Sequence, residues 1–167
     1  MSTDIIITSL KPEHYEEVKA IYTQGIIGGN STFETEPPTW SDWDKKHLFH
    51  SRVIALLNNK VVGWAALSGV SDRCAYSGVT ENSVYVDKHY QGNGIGLALL
   101  KKLIEESETN GIWTIEARIF PENKASISLH QKCGFRILGE YHNRGKMGNT
   151  WRNVVLMERR SNKVGID

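Results

Sequence analysis

The spacing of apolar and polar positions divides the chain into short segments with two different periods. β-Branched Ile5 to Thr8 reads as a strand, and Pro12 to Gln24 as a helix in which Tyr15, Val18 and Ile21 recur on one face. A loop is expected through Gly25, Gly28, Gly29 and Asn30. After Pro37-Pro38, Thr39 precedes Asp42 at the spacing of a capped start and predicts a second helix to about Phe49. Arg52 to Leu57 and Lys60 to Leu67 are apolar runs joined by Asn58-Asn59, a pair tolerant of positive φ, and so read as an antiparallel hairpin.

Thr80 to Asp87 alternates, with Val84 and Val86 on one face, and predicts another strand. Gln91-Gly92-Asn93-Gly94-Ile95-Gly96 leads from it into a helix, Leu97 to Glu108, whose Leu99, Leu100, Leu103 and Ile104 form an apolar stripe. Trp113 to Phe120 reads as a strand and Ala125 to Lys132 as a short helix stopped by Gly134. Phe135 to Tyr141 and Trp151 to Glu158 are closing strands, and Ser161 to Asp167 a flexible tail. With no repeat and no linker, the pattern predicts one α/β domain over 1–160, a mixed sheet with flanking helices.

The 167 residues suit a single domain that buries roughly 70% of its unfolded surface. With 40% apolar and 23% charged residues, the composition excludes disorder, fibrous repeats and membrane spans. A net charge of +1 without a basic run gives no field for a phosphate backbone, so no nucleic acid partner is expected. Cys74 and Cys133 form no metal or redox motif and are read as free thiols. His47 and His50 lie three apart but lack a third ligand, so no metal is expected. Met1-Ser2-Thr3-Asp4 and the isoleucines after it do not make a signal segment, which predicts a cytoplasmic location. Asn30-Ser31-Thr32 matches a glycosylation sequon and is read as a polar loop.

A strand that passes through three glycines into a helix leaves the first-turn N–H groups free at the positive end of the helix dipole. Glycines at 92, 94 and 96 clear β-carbons from the backbone and permit the positive φ of an anion-holding nest. The dinucleotide fingerprint fails, because its third glycine would fall on Leu97 or Leu99. The ATPase phosphate loop fails too, since no Gly-Lys-Ser or Gly-Lys-Thr follows.

Gln91-x-x-Gly94-x-Gly96 after Ser83-Val84-Tyr85-Val86 resembles the acetyl-CoA pyrophosphate loop of the GNAT acetyltransferase superfamily. Asn123-Lys-Ala-Ser126-Ile-Ser-Leu129-His130-Gln-Lys-Cys-Gly134-Phe135 is similar to its second cofactor motif. The segments Ser31 to Thr39, Glu81 to Val86 and Trp151 to Met157 are most similar to the phosphinothricin and methionine sulfone acetyltransferase branch. The resemblance runs from about Ile5 to about Arg160.

That resemblance implies a mostly antiparallel sheet splayed beside the strand ending at Val86, with pantetheine of acetyl-CoA pairing to Val84, Tyr85 and Val86 like an added strand. Gln91, Gly92, Asn93, Gly94, Ile95, Gly96 and Leu97 would cradle the diphosphate. Asn123 would contact the cofactor arm or cap its helix, with Ser126 beside it. A homodimer is implied as well.

For acetyl transfer the acceptor amine must be neutral, and an ammonium of pKa near 10 is only about one part in a thousand neutral at pH 7. Glu81 matches the family carboxylate that takes this proton, and His130 stands where many members place a tyrosine as general acid. A backbone N–H near Val84 would meet the oxyanion. Phe33, Glu34, Arg73 and Tyr76 match acceptor-pocket positions, while Lys146 and Trp151 would complete either the site or a dimer contact. The implied reaction is direct acetylation, in a ternary complex, of a small amino acid analogue such as phosphinothricin, methionine sulfoximine or methionine sulfone. Rival expectations are another amine (a polyamine, an antibiotic or a protein N-terminus) or a non-catalytic acyl-CoA sensor. An acidic pocket would favour the polyamine, and an open groove the peptide.

Overall fold

The structure, a computed structural model, describes residues 4–167. Met1 to Thr3, on which the expectation of no leader partly rests, lie outside them. One sheet runs in the order β1-β2-β3-β4-β5-β7-β6. Its strands are β1 (Ile6–Ser9), β2 (Arg52–Leu57), β3 (Lys60–Gly69), β4 (Val79–Val86), β5 (Thr114–Ile119), β6 (Arg136–Met147) and β7 (Thr150–Arg160). The helices are α1 (Tyr15–Gly28), α2 (Trp40–Lys46), α3 (Ile95–Thr109) and α4 (Lys124–Lys132). Every pairing is antiparallel except β4 with β5, which is parallel.

Local chemistry sets most of the boundaries. Asn58 and Asn59 take φ of 50° and 64° and turn β2 into β3 as their type predicts. The Thr39 hydroxyl accepts from Asp42 N–H and starts α2. That helix stops at Lys46, three residues before the expected Phe49, because His47 is extended and turns its ring back onto Trp43. Helix α1 departs further from expectation: Gly25 and Gly28 are helical, and the chain turns only at Gly29, φ 78°. Gly25 is small for packing, since a Cβ there would lie 2.6 Å from Tyr85 Cε1. Strand β6 runs to Met147 rather than ending at Tyr141, with register shifts that accommodate its length.

Apolar side chains cover both faces of the sheet. Leu99, Leu100 and Leu103 of α3 pack on Val62, Ala65 and Leu67 of β3, while Val18 and Ile21 of α1 and Trp43 of α2 pack on Val61, Trp64 and Ala66. Residues 161–167 form no helix or strand but are tied in: Ser161 Oγ donates to Glu108, and Arg160 donates to the carbonyls of Ser161, Val164 and Gly165. Among the described residues no helix is long and apolar enough to cross a membrane.

His47 gives the fold a pH dependence. Burial lowers its pKa from 6.5 to about 4, although its Nδ1–H donates to Trp43 O at 2.7 Å. The unfolded chain therefore takes up more protons below pH 6.5, so stability falls as pH drops from 6.5 toward 4, by roughly 3 kcal/mol from this group alone. Urea unfolding at pH 7 and pH 5 should reveal the slope, and His47→Phe should flatten it. The buried His130, whose pKa is also lowered by desolvation, acts in the same direction.

Candidate active site

Strand β4 pairs with β3 along its length, from Gly63↔Val86 to Gly69↔Thr80, but with β5 only from Val79 to Glu81. Past Glu81 the two central strands diverge. Among the described residues, the main chain of Ser83 to Val86 thus has no strand partner on that side, which is the splay that the family resemblance implies. A cleft of about 1310 Å³ opens there, lined by β4, the glycine turn, α4 and the segment from Asn30 to Glu34.

At one end lies the turn from β4 to α3. Gly92 and Gly94 have φ of 81° and 76°, and apart from the adjoining residues no atom of the described residues lies within 4 Å of where their β-carbons would be. Gly94 caps α3 without a side-chain cap, and the Ala98 N–H is the first to bond back, to Gly94 O at 3.0 Å. The N–H groups of Ile95, Gly96 and Leu97 accordingly precede any intrahelical acceptor. Gly96 serves packing, since a Cβ there would sit 3.2 Å from Leu129 of α4. Gln91 lines the cleft, but Asn93 does not: its amide donates to Tyr90 O and Gln91 O and tightens the turn.

The neighbouring strand residues divide by face. Val84 and Val86 pack into the core under α3, whereas the Tyr85 ring stacks on Trp64 at 5.0 Å and meets Tyr22 edge-on. Burial raises the Tyr85 pKa, and its hydroxyl donates to Ser31 O at 3.4 Å. Asn123 lines the cleft and also caps α4, accepting from Ser126 N–H at 3.2 Å while donating to Asn30 O at 3.1 Å. Arg152 of β7 ties the same loop down by donating to Gly29 O at 2.9 Å and to Asn30 Oδ1 at 2.8 Å, with its guanidinium 4.0 Å from the Phe120 ring centroid.

Glu81 occupies the last paired rung before the gap, opposite Glu116. Arg118 of β5 bridges the two carboxylates, donating from Nη1 to Glu81 and from Nη2 to Glu116, each at 3.1 Å. Burial works against the Arg118 charge, but Glu81 and Glu116 outweigh it and raise its pKa. On the next residue, Asn82, the side chain reaches His130 of α4. His130 Nδ1 lies 2.7 Å from Ser126 O, a pure acceptor, so the proton sits on Nδ1 and Nε2 accepts from Asn82 Nδ2 at 3.1 Å.

Phe33 and Glu34 line the cleft as expected. Phe33 meets Phe120 edge-on at 4.9 Å and lies over Gly145, where a Cβ would come within 2.8 Å of its ring. Lys46, Arg118 and Arg144 line the same cleft, and Lys46 approaches Glu34 at 4.0 Å. Arg73 and Tyr76 do not reach it. They sit at an exposed 3-10 turn, Cys74–Tyr76, beyond the cleft wall. Lys146 and Trp151 are exposed on the β6–β7 hairpin, the ammonium 5.8 Å from the indole centroid, and likewise lie outside the cleft.

Arg118 and Asn82 are absent from the expected site. A signal for Arg118 was present, since Thr114-Ile115-Glu116-Ala117-Arg118-Ile119 alternates polar and apolar and turns Glu116 and Arg118 to one face.

A parallel pair that splays beyond three rungs, with a glycine-capped helix at the mouth, is the geometry implied by the sequence resemblance. Residues 13–135 match the Acetyltransferase (GNAT) family. The chain belongs to the GNAT acetyltransferases. It is an acyltransferase, of the family for which acetyl-CoA is the acetyl donor. Among its relatives, the phosphinothricin N-acetyltransferase of Streptomyces coelicolor is 32% identical over 162 residues, covering 90% of this chain and 94% of that one. The L-methionine sulfoximine/L-methionine sulfone acetyltransferase of Pseudomonas aeruginosa is 28% identical, covering 84% of this chain and 86% of that one. An N-acetyltransferase structure from Staphylococcus aureus superposes with a TM-score of 0.86 at 29% identity, covering 94% of this GNAT chain and 98% of the other.

Proposed function

We propose that this chain moves acetyl from acetyl-CoA to the primary amine of a small amino acid analogue, of the phosphinothricin, methionine sulfoximine or methionine sulfone type. The observation that carries this reading is the position of Glu81, a carboxylate at the point where β4 loses its partner and the cleft begins. The diphosphate is received by the N–H groups at the start of α3 and the pantetheine lies along Ser83 to Val86 as an added strand. This aims the thioester toward Glu81.

In the ternary complex Glu81 takes a proton from the acceptor ammonium, directly or through water, and the neutral nitrogen attacks the thioester carbon. A β4 backbone N–H near Val84 meets the oxyanion. Collapse breaks the carbon–sulfur bond and expels a thiolate, which takes up the second proton that the attacking nitrogen must lose as the amide forms, and an alkyl thiol of pKa about 8.5 leaves without a dedicated acid. His130 then acts as a positioning residue. Both ring nitrogens are engaged and burial lowers its proton affinity, so it fixes Asn82, and through it β4, against α4. The acceptor end mixes Lys46, Arg118 and Arg144 with Glu34 and Glu81, a balance that suits a zwitterion better than a polyamine. The enzyme acts as a homodimer in the cytoplasm under this reading.

A thiol-release assay with acetyl-CoA and a panel of amines tests the proposal. Methionine sulfone, methionine sulfoximine or phosphinothricin should release free thiol faster than spermidine or a peptide N-terminus. Preference for a polyamine or peptide would overturn the acceptor assignment, and saturable binding without thiol release would point to a sensor.

A further inference from the structure

We propose that Arg118 selects acceptors bearing a carboxylate on the carbon next to the amine, the Glu81–Arg118 pair being a zwitterion that reads the acceptor's own. This rests on the acyl-transfer reading above and adds a specificity residue to it. Arg118 gives one bond to Glu81 and one to Glu116. Of the five guanidinium N–H groups, three therefore have no hydrogen-bond partner among the described residues. Arg118 lines the cleft with a side chain 34% exposed, whereas Glu116 beneath it is 18% exposed. Glu116 thus acts as an anchor, holding the guanidinium at the gap even when Glu81 turns to another cation.

The charge order explains the choice of ligand. Glu81 and Glu116 are opposite one another across the last rung, an unfavourable like-charge pair that Arg118 offsets. An α-amino acid places an ammonium and a carboxylate on one carbon. When the ammonium meets Glu81, the carboxylate falls beside Arg118 and can take its unpaired N–H groups as a fork, a charge-assisted geometry that lysine cannot reproduce. The ammonium proton then passes to Glu81, leaving the amine neutral. Two other cations of the cleft are less suited: Arg144 is exposed and lies over the Tyr141 ring at 4.2 Å, and Lys46 is 60% exposed beside Glu34.

The test compares methionine sulfone with the amine left when its carboxylate is removed, measuring kcat and KM for wild type, Arg118→Met and Arg118→Lys. Wild type should prefer methionine sulfone. Arg118→Met should raise KM for methionine sulfone roughly 30-fold and KM for the decarboxylated amine less than about 3-fold. Arg118→Lys should raise the first about 10-fold, and it decides the matter if circular dichroism shows the methionine variant unfolded. Wild-type activity with the preference unchanged in the variants, or with both KM values shifted alike, overturns the role of Arg118 alone. Wild type that acetylates neither amine overturns both this role and the acceptor class it rests on.

Discussion

Glu81→Gln is expected to lower kcat roughly 100- to 10,000-fold while leaving acetyl-CoA affinity and thermal stability close to wild type. Glutamine keeps the size of the side chain and its carbonyl can still accept from Arg118 Nη1, so the rung opposite Glu116 survives. What is lost is the carboxylate to which the proposed mechanism gives the acceptor proton. Since an amine of pKa near 10 is about one part in a thousand neutral at pH 7, removal of its base is felt across most of the pH range and recedes as pH approaches 10. Steady-state thiol release from pH 6 to pH 10 should therefore show the variant recovering toward wild type at high pH. A variant as active as wild type at pH 7 would remove Glu81 from the mechanism.

Gly94→Val is expected to weaken acetyl-CoA binding by about 100-fold or more, with a smaller cost to the fold. Valine at φ 76° is strained by roughly 1–3 kcal/mol. Beyond the adjoining residues, no atom of the described residues lies within 4 Å of the added Cβ, so packing itself raises little objection. The side chain instead enters open space at the mouth of the cleft, where the proposed function places the diphosphate. Loss of two charge-assisted hydrogen bonds accounts for about 3 kcal/mol or more, which is the stated factor. Calorimetric titration of the folded variant with acetyl-CoA checks the result, and wild-type affinity would count against the nest.

The sequence was most legible where local chemistry dictates geometry. The Asn58-Asn59 turn, the Thr39 and Asn123 caps and the glycine turn at 92–96 are each decided by a few adjacent residues, and each was found where their chemistry placed it. Gly25 was misleading because its smallness answers to Tyr85, sixty residues away in the chain, and not to its own backbone. His47 ended α2 early for a similar reason, its ring being drawn onto Trp43. The glycine turn and Glu81 were singled out by motif and order and do line the cleft, but the ion-pair partner of Glu81 was not foreseen. Arg118 comes from the neighbouring strand, and its contact with Glu81 depends on the parallel register Glu81↔Glu116, which no local pattern encodes. Arg73 and Tyr76, carried over from the resemblance by position alone, lie at an exposed turn away from the cleft.

Anchoring of the donor through its diphosphate is the claim from which the placement of thioester, base and acceptor all follows. Titration calorimetry of the wild-type protein with acetyl-CoA and with S-acetylpantetheine, which carries the same thioester without the diphosphate, addresses it directly. Saturable binding of acetyl-CoA at one site per chain, with S-acetylpantetheine at least about 100-fold weaker, is the predicted outcome. Equal affinity for the two compounds, or no binding of acetyl-CoA by folded protein, would contradict it.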